Sequence, residues 1–357
     1  MTAAPLKVLI VDDSAVVRKL LADGLAGQPD IEVVGAAADP FIARDLMLQH
    51  RPDALTLDIE MPRLDGLSFL AKVMEHRPMP VIVISSITKV GSAASVEALR
   101  LGAIDVIAKP GGPSSVGEVT AQLLRRLRAL RQAPIRFGAP LPAAARTAPT
   151  AGVRPLARPA TGLIVIGAST GGTRAIETLL TSLPAQVPPI LIAQHMPAGF
   201  TRAFAARLDS ICPMHVREAE GGELLQAGTA YVAPGDHHLV VERVGLQLRA
   251  GLRQGPPVHF QRPAVDVLFH SVARLQGVPT VALLLTGMGA DGADGMLALK
   301  NAGAETIAQD EHSCVVFGMP REAILLGAAR QVLTLVQMPN AILDRLARVS
   351  PRNAAAS

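Results

Sequence analysis

The stretch Leu163-Ile164-Val165-Ile166-Gly167-Ala168-Ser169-Thr170-Gly171-Gly172 breaks a run of β-branched and apolar residues into a glycine-rich turn ahead of a helical segment. It reads as strand, turn and helix. Ser169 then stands at the carboxyl end of a strand, where open α/β sheets place their chemistry, because side chains there reach the crevice and the next helix offers free amides. Two readings compete: Ser169 is a nucleophile, or Ser169 or Thr170 caps the following helix.

Outward from this stretch the alternation of strand and helix continues. A strand at 189–194 ends in Gln194-His195-Met196-Pro197, and the apolar run 280–286 enters Gly287-Met288-Gly289-Ala290-Asp291-Gly292. Ser169, His195 and Asp291 thus each follow a separate strand. If these strands are neighbours in a parallel sheet, the three side chains share one crevice. A serine hydroxyl needs a base to take its proton, and an imidazole base needs a carboxylate to fix its tautomer. His195 is the expected base and Asp291 its orienting acid, with the backbone amides of Thr170 and Met288 as oxyanion donors. Taken singly, His195 also reads as a structural histidine, and Asp291 as a turn former.

The segment 287–292 is also a literal G-x-G-x-x-G, with Asp310 and Glu311 downstream, so a dinucleotide site stands as a rival. Asp291 inside the phosphate cradle argues against it. His237 and His238 lack partners at metal-ligand spacing and read as a surface turn. Met196, Met288, Met296 and Met319 read as core and wall residues.

Residues 5–125 alternate strands near 6–11, 31–36, 54–58, 80–85 and 104–108 with amphipathic helices, which implies a five-stranded, doubly wound parallel sheet. Asp12 and Asp13 follow the first strand, Asp58 ends the third, Ser85 the fourth and Lys109 the fifth. Clustered carboxylates suit Mg²⁺, and a lysine and hydroxyl opposite it suit a phosphoryl group carried by one aspartate. Asp58 is the central carboxylate of that set.

Of 357 residues about half are apolar, enough for two cores, and no apolar run reaches membrane-spanning length. A soluble cytoplasmic protein is expected, its two cysteines, Cys212 and Cys314, reduced and buried. Between Glu118 and Glu177 there is no acidic residue. That interval holds Arg125, Arg126, Arg128, Arg131, Arg136, Arg146, Arg154 and Arg158, without which the formal +4 becomes −4. Its prolines and alanines read as a tether, so the expected division is 1–125, a linker at 126–160, a second α/β domain at 161–348 and a tail at 349–357. A response regulator that binds nucleic acid through this basic segment is the alternative without catalysis. One tyrosine, no tryptophan and no helix-turn-helix pattern count against it.

On Val11-Asp12-Asp13-Ser14, Leu57-Asp58 with Met61-Pro62 and Asp65-Gly66, Ser85 and Lys109-Pro110, the first domain resembles the receivers of two-component response regulators. The resemblance implies a phosphoacceptor at Asp58, Mg²⁺ held by Asp13 and Asp58 with Asp12 assisting, Lys109 on the phosphoryl group, Ser85 as the switch hydroxyl and a histidine kinase as donor. Residues 161–348 are similar to the chemotaxis protein-glutamate methylesterases. The similarity rests on Ile166–Gly172, Ala193–Pro197, Tyr231–Gly235 with His238, Arg262–Asp266, Leu285–Gly289 with Asp291-Gly292, Ala308–Glu311 and Phe317–Arg321. That resemblance implies a Ser169, His195 and Asp291 triad that hydrolyses glutamate methyl esters on chemoreceptors, often with deamidation of receptor glutamines, and no cofactor for the hydrolysis. It also implies an unphosphorylated receiver that covers the esterase crevice and an acyl phosphate that weakens the cover.

Overall fold

Apolar runs such as Leu163–Ile166 can satisfy their backbone polar groups away from water only by pairing with strands on both sides. In the computed structural model they do so. Residues 4–61, 65–109, 116–132 and 162–349 are described. The chain divides into two compact units, Met1–Phe137 and Gly138–Ser357.

The first unit alternates β1 (Leu6–Val11), α1 (Ala15–Leu25), β2 (Ile31–Ala37), α2 (Pro40–His50), β3 (Ala54–Leu57), α3 (Gly66–His76), β4 (Val81–Ser85), α4 (Lys89–Leu101), β5 (Asp105–Ala108) and α5 (Val116–Gln132). The sheet order is β2-β1-β3-β4-β5, with every pairing parallel. Short polar residues start the helices: the Asp39 carboxylate accepts the amides of Phe41 and Ile42 at the head of α2, and Asp65 accepts Leu67 N at the head of α3. The chain leaves β1 toward β2 on one side and later fills the other side with β3, so the crevice opens between the ends of β1 and β3.

Helix α5 runs past 125, the expected end of the domain. Leu123 and Leu127 bury one face. Arg126 Nε lies 2.6 Å from Asp105 Oδ2, and Arg128 Nε 2.8 Å from Asp30 Oδ2. The arginines from 125 to 131 therefore belong to a folded helix and not to a tether. Residues 133–160 of the expected linker and the tail from 350 lie outside the described residues.

The second unit contains β6 (Leu163–Ala168), α6 (Gly172–Thr181), β7 (Ile190–Gln194), α7 (Phe200–Ile211), β8 (His215–Glu218), β9 (Thr229–Val232), β10 (His238–Val244), β11 (Gln247–Arg253), α8 (Val265–Ala273), β12 (Thr280–Leu284), α9 (Ala293–Asn301), β13 (Glu305–Gln309), α10 (Met319–Leu325), β14 (Gln331–Leu333) and α11 (Met338–Val349). Seven strands form one parallel sheet in the order β14-β13-β12-β6-β7-β9-β8, and β10 and β11 make a separate antiparallel hairpin. Strand β6 lies between β12 and β7, in a register that pairs Gly167 with Leu284 and Ala168 with Gln194. The carboxyl ends of the three strands are therefore level, at the point where the strand order reverses.

Leu163, Ile164, Val165 and Ile166 are fully buried, and each contributes about 1.5–3 kcal/mol relative to an exposed position. Helix α8 lays Val265, Leu268 and Phe269 into the same core. Both cysteines are free thiols; Cys314 is buried and Cys212 half-buried. Burial pushes the Cys212 thiol up to about 12, with Glu177 and Asp209 adding to the shift. Among the described residues no helix is long and apolar enough to cross a membrane.

Close approach of α8 to the sheet rests on Gly167, because a Cβ there would overlap Val265 Cγ1 and stand 3.1 Å from Leu284 Cδ1. Gly167→Ala is expected to lower the stability of the second unit by roughly 1–3 kcal/mol. Urea unfolding followed by circular dichroism measures this, and an unchanged midpoint would contradict the packing described.

Candidate functional site

Ser169 follows β6 directly, and its main chain is held on three sides. Its amide donates to Thr286 O at 3.0 Å, and its carbonyl accepts from Gly172 N at 2.7 Å and from Gln194 Nε2 at 2.9 Å. The N-cap of α6 is Gly171, at φ 78°, and no side chain caps the helix. Neither the Ser169 nor the Thr170 hydroxyl is therefore engaged as a cap, which removes the capping alternative for both. A Cβ on Gly287 would stand 2.8 Å from Ser169 Cβ and overlap Met319 Sδ, so this contact requires glycine.

His195 follows β7, with its amide bonded to Ala168 O at 3.1 Å. Its Nε2 lies 2.7 Å from Asp291 Oδ2. A carboxylate can only accept, so the ring proton sits on Nε2 and the Nδ1 lone pair is the basic one. Nδ1 is buried and has no hydrogen-bond partner among the described residues. No bond joins it to Ser169 Oγ here, a looseness common before substrate binds.

Asp291 lies in the turn after β12 and is 1% exposed. Besides His195, it accepts Val265 N at 2.7 Å on Oδ2 and Asp266 N at 2.8 Å on Oδ1. Those two amides belong to the first turn of α8, which has no side-chain cap from Ala264. Asp291 caps α8 from another part of the chain and receives the positive end of the helix in return. Burial pushes Asp291 up, but the His195 bond and the two amides outweigh it and hold the carboxyl below its ordinary range. The dinucleotide reading fails here, because Asp291 fills the turn with its own bonds and Asp310 accepts Ser313 N. Neither the Thr170 nor the Met288 amide donates to any group among the described residues, which leaves both for an incoming oxygen.

A second polar cluster lies in the first unit. Asp12 and Asp58 are buried, and Asp13 is exposed. One oxygen from each of the three lies within 4.8 Å of the others. Lys109 Nζ stands 2.6 Å from Asp58 Oδ2 and 3.4 Å from Asp12 Oδ2, while Asp58 Oδ1 accepts Glu60 N and Asp12 Oδ1 accepts Ser14 N. Desolvation raises Asp12 to about 6 despite Lys109, and raises Asp58 as well. Desolvation pulls Lys109 down, yet its bond to Asp58 and its two acidic neighbours leave it above its usual value. Asp12 Oδ2 is buried and carries no hydrogen bond. Three hard oxygen donors with one unsatisfied lone pair fit a small divalent cation. The Lys109 amide bonds to Ser85 O, so the buried Ser85 shares this edge.

Comparison with known proteins finds a match for each of the two units. The CheB methylesterase family model matches residues 164–342, and the response regulator receiver domain matches residues 8–120. A protein-glutamate methylesterase/protein-glutamine glutaminase from Syntrophus aciditrophicus is 47% identical over 344 residues, covering 96% of this chain and 99% of that protein. One from Anaeromyxobacter dehalogenans is 51% identical over 338 residues, covering 95% and 94%. The chain belongs to the CheB methylesterase family. The crystal structure of the Thermotoga maritima CheB methylesterase catalytic domain superposes with a TM-score of 0.50 at 40% identity, covering 52% of this chain and 98% of that one.

In this CheB chain two further polar residues brace the turns that carry Ser169 and His195. Gln194 ties the Ser169 carbonyl to the His195 carbonyl, which its amide reaches at 3.2 Å. Thr286 is a hub: its hydroxyl lies 3.0 Å from Thr170 O and accepts the amides of Val315 and Val316, while its own amide donates to Gln309 Oε1 at 2.8 Å. The only sequence signal for either is a polar residue ending or just following an apolar strand. His238 is buried, not at a surface turn: Nδ1 accepts Ala264 N at 3.2 Å, so Nε2 donates to Pro256 O. Thr286→Val keeps the shape and strands two amides and a carbonyl, which is expected to cost roughly 1–3 kcal/mol. Thermal unfolding of the variant reads this loss, and a melting temperature equal to wild type would contradict the hub.

Proposed function

We propose that this protein is a phosphorylation-gated serine esterase that removes methyl groups from glutamate esters of chemoreceptors and deamidates receptor glutamines. The observation that carries the reading is His195, bonded to Asp291 through Nε2 and left with an unpartnered buried Nδ1 beside the strand end that bears Ser169. Ser169 Oγ attacks the ester carbonyl while His195 Nδ1 takes its proton. The oxyanion of the tetrahedral intermediate is held by the Thr170 and Met288 amides, each worth about 3 kcal/mol in such a position. Collapse breaks the bond to the methoxy oxygen, which leaves as methanol with the proton from His195. Water then attacks the acyl-enzyme with His195 again as base, and free glutamate and Ser169 are restored. With a glutamine substrate, the same steps release ammonia.

In the receiver, Asp58 accepts the phosphoryl group from a histidine kinase, with Lys109 and Ser85 on its oxygens. Asp12, Asp13 and Asp58 would hold Mg²⁺, which supplies charge neutralisation for the transfer. The phosphoryl group on Asp58 controls access to Ser169, and the reading places the protein in the cytoplasm, on the face of the membrane where receptor helices and kinase meet.

Methanol release from methylated receptor membranes, with and without acetyl phosphate, tests both halves. Ser169→Ala is expected to lose at least roughly 10⁴-fold in turnover while remaining folded. Asp58→Asn is expected to turn over at one rate with or without the phosphodonor. Turnover retained in Ser169→Ala sinks the nucleophile assignment, and stimulation retained in Asp58→Asn sinks the gate.

A further inference from the structure

Asp291 has a counterpart in Asp266, a buried carboxylate to which the hydrolytic steps assign no part. Asp266 belongs to the first turn of α8; its Oδ1 accepts Gly295 N at 2.7 Å, and Gly295 belongs to the first turn of α9. The arrangement is reciprocal. Asp291, in the loop just before α9, takes two amides from the head of α8, and Asp266, at the head of α8, takes an amide from the head of α9. Neither helix has a side-chain cap of its own. Each is capped by a carboxylate from the other's neighbourhood, which satisfies amides that a buried helix end would otherwise leave orphaned. A Cβ on Gly295 would meet Phe269 Cβ at 2.6 Å and Asp266 Oδ1 at 3.0 Å, so the helix heads come this close only with glycine there.

The other oxygen of Asp266 lies 3.0 Å from His259 Nε2. One ligand atom from each of His259, Asp266 and Asp291 falls within a 4.8 Å span. His259 sits in a two-residue turn closed by Val258 and Gln261, which exchange hydrogen bonds at 3.0 and 2.9 Å. Both turn residues, His259 at φ 50° and Phe260 at φ 61°, are left-handed without being glycine, a conformation that persists only where surrounding contacts hold it. The bond to Asp266 is one such contact. A second histidine–aspartate pair therefore stands directly behind the triad's acid.

We propose that Asp266, pinned by His259 on one side and Gly295 on the other, is a positioning residue that fixes the head of α8 so that its amides aim Asp291 at His195. The inference rests on the Ser169, His195 and Asp291 reading. Misplacing a catalytic carboxylate by a fraction of an ångström lowers rate without removing any reacting group.

A fluorophosphonate that phosphonylates reactive serines, applied to the full chain, separates the number of competent sites from the rate at each. Asp266→Ala is expected to label to full stoichiometry, roughly ten- to a hundredfold more slowly than wild type. Asp266→Asn, whose amide can still accept from Gly295 and face His259, is expected to recover most of that rate. His259→Gln, at a half-exposed position, is expected to fall between and carries the test if Asp266→Ala does not fold. Labelling of the variants at the wild-type rate overturns the proposal. So does partial labelling in which the reactive fraction keeps that rate, because that is the mark of a purely structural residue. Ser169→Ala is the control: if it labels like wild type, the triad reading fails, whatever Asp266 does.

Discussion

The second unit turns on the acceptor capacity of one buried carboxylate. Asp291 has two oxygens and no donor, and three N–H groups from two other segments converge on it: the His195 ring and the first two amides of α8. Removing such a group from water is costly unless its charge is met by donors, and here the donors are the parts that need fixing. The carboxylate thereby sets the tautomer of His195, caps a helix head and anchors the loop that carries Met288. Placing the proton on Nε2 leaves Nδ1, the ring nitrogen nearer the backbone, with the free lone pair. The imidazole thus hangs from its acid by the far end of the ring.

The same structural device appears twice in the chain. Each unit puts its polar groups at the carboxyl ends of parallel strands, beside the point where strand order reverses: Asp12 and Asp58 flank β1 and β3, while Ser169, His195 and Asp291 follow β6, β7 and β12. The chemistry differs because the partners differ. In the receiver a lysine beside two buried carboxylates offsets part of the desolvation that raises them, and an oxygen of Asp12 carries no hydrogen bond. In the esterase unit the carboxylate takes three N–H donors, and an unsatisfied atom beside it is a ring nitrogen, His195 Nδ1. One site suits a cation and a phosphoryl group, the other a proton in transit.

Much of this was legible from sequence because strands buried in parallel sheets announce themselves as apolar runs ending in polar residues. The five receiver strands fall within a residue or so of where those runs place them, and the strands bearing Ser169, His195 and Asp291 are adjacent, as the shared crevice requires. Strands such as β8 and β14 are short and mix polar with apolar residues, so no run marked them. Arg126 and Arg128 read as tether because their partners, Asp105 and Asp30, are close only in space. His238 and Asp266 escaped for the same reason: what satisfies a buried polar group here is a backbone amide or carbonyl, such as Ala264 N, Pro256 O or Gly295 N, and backbone atoms leave no signature in residue identity.

Which ring nitrogen of His195 carries the proton can be read directly. In ¹⁵N-labelled protein at neutral pH, the ring nitrogens of His195, assigned against His195→Gln, report which of them carries hydrogen. The expected result is a protonated Nε2, hydrogen-bonded to Asp291, and a bare Nδ1 with the shift of an unprotonated imidazole nitrogen. A neutral ring protonated on Nδ1 would contradict it, since Nε2 would then have no proton to give Asp291 and Nδ1 no lone pair to offer Ser169.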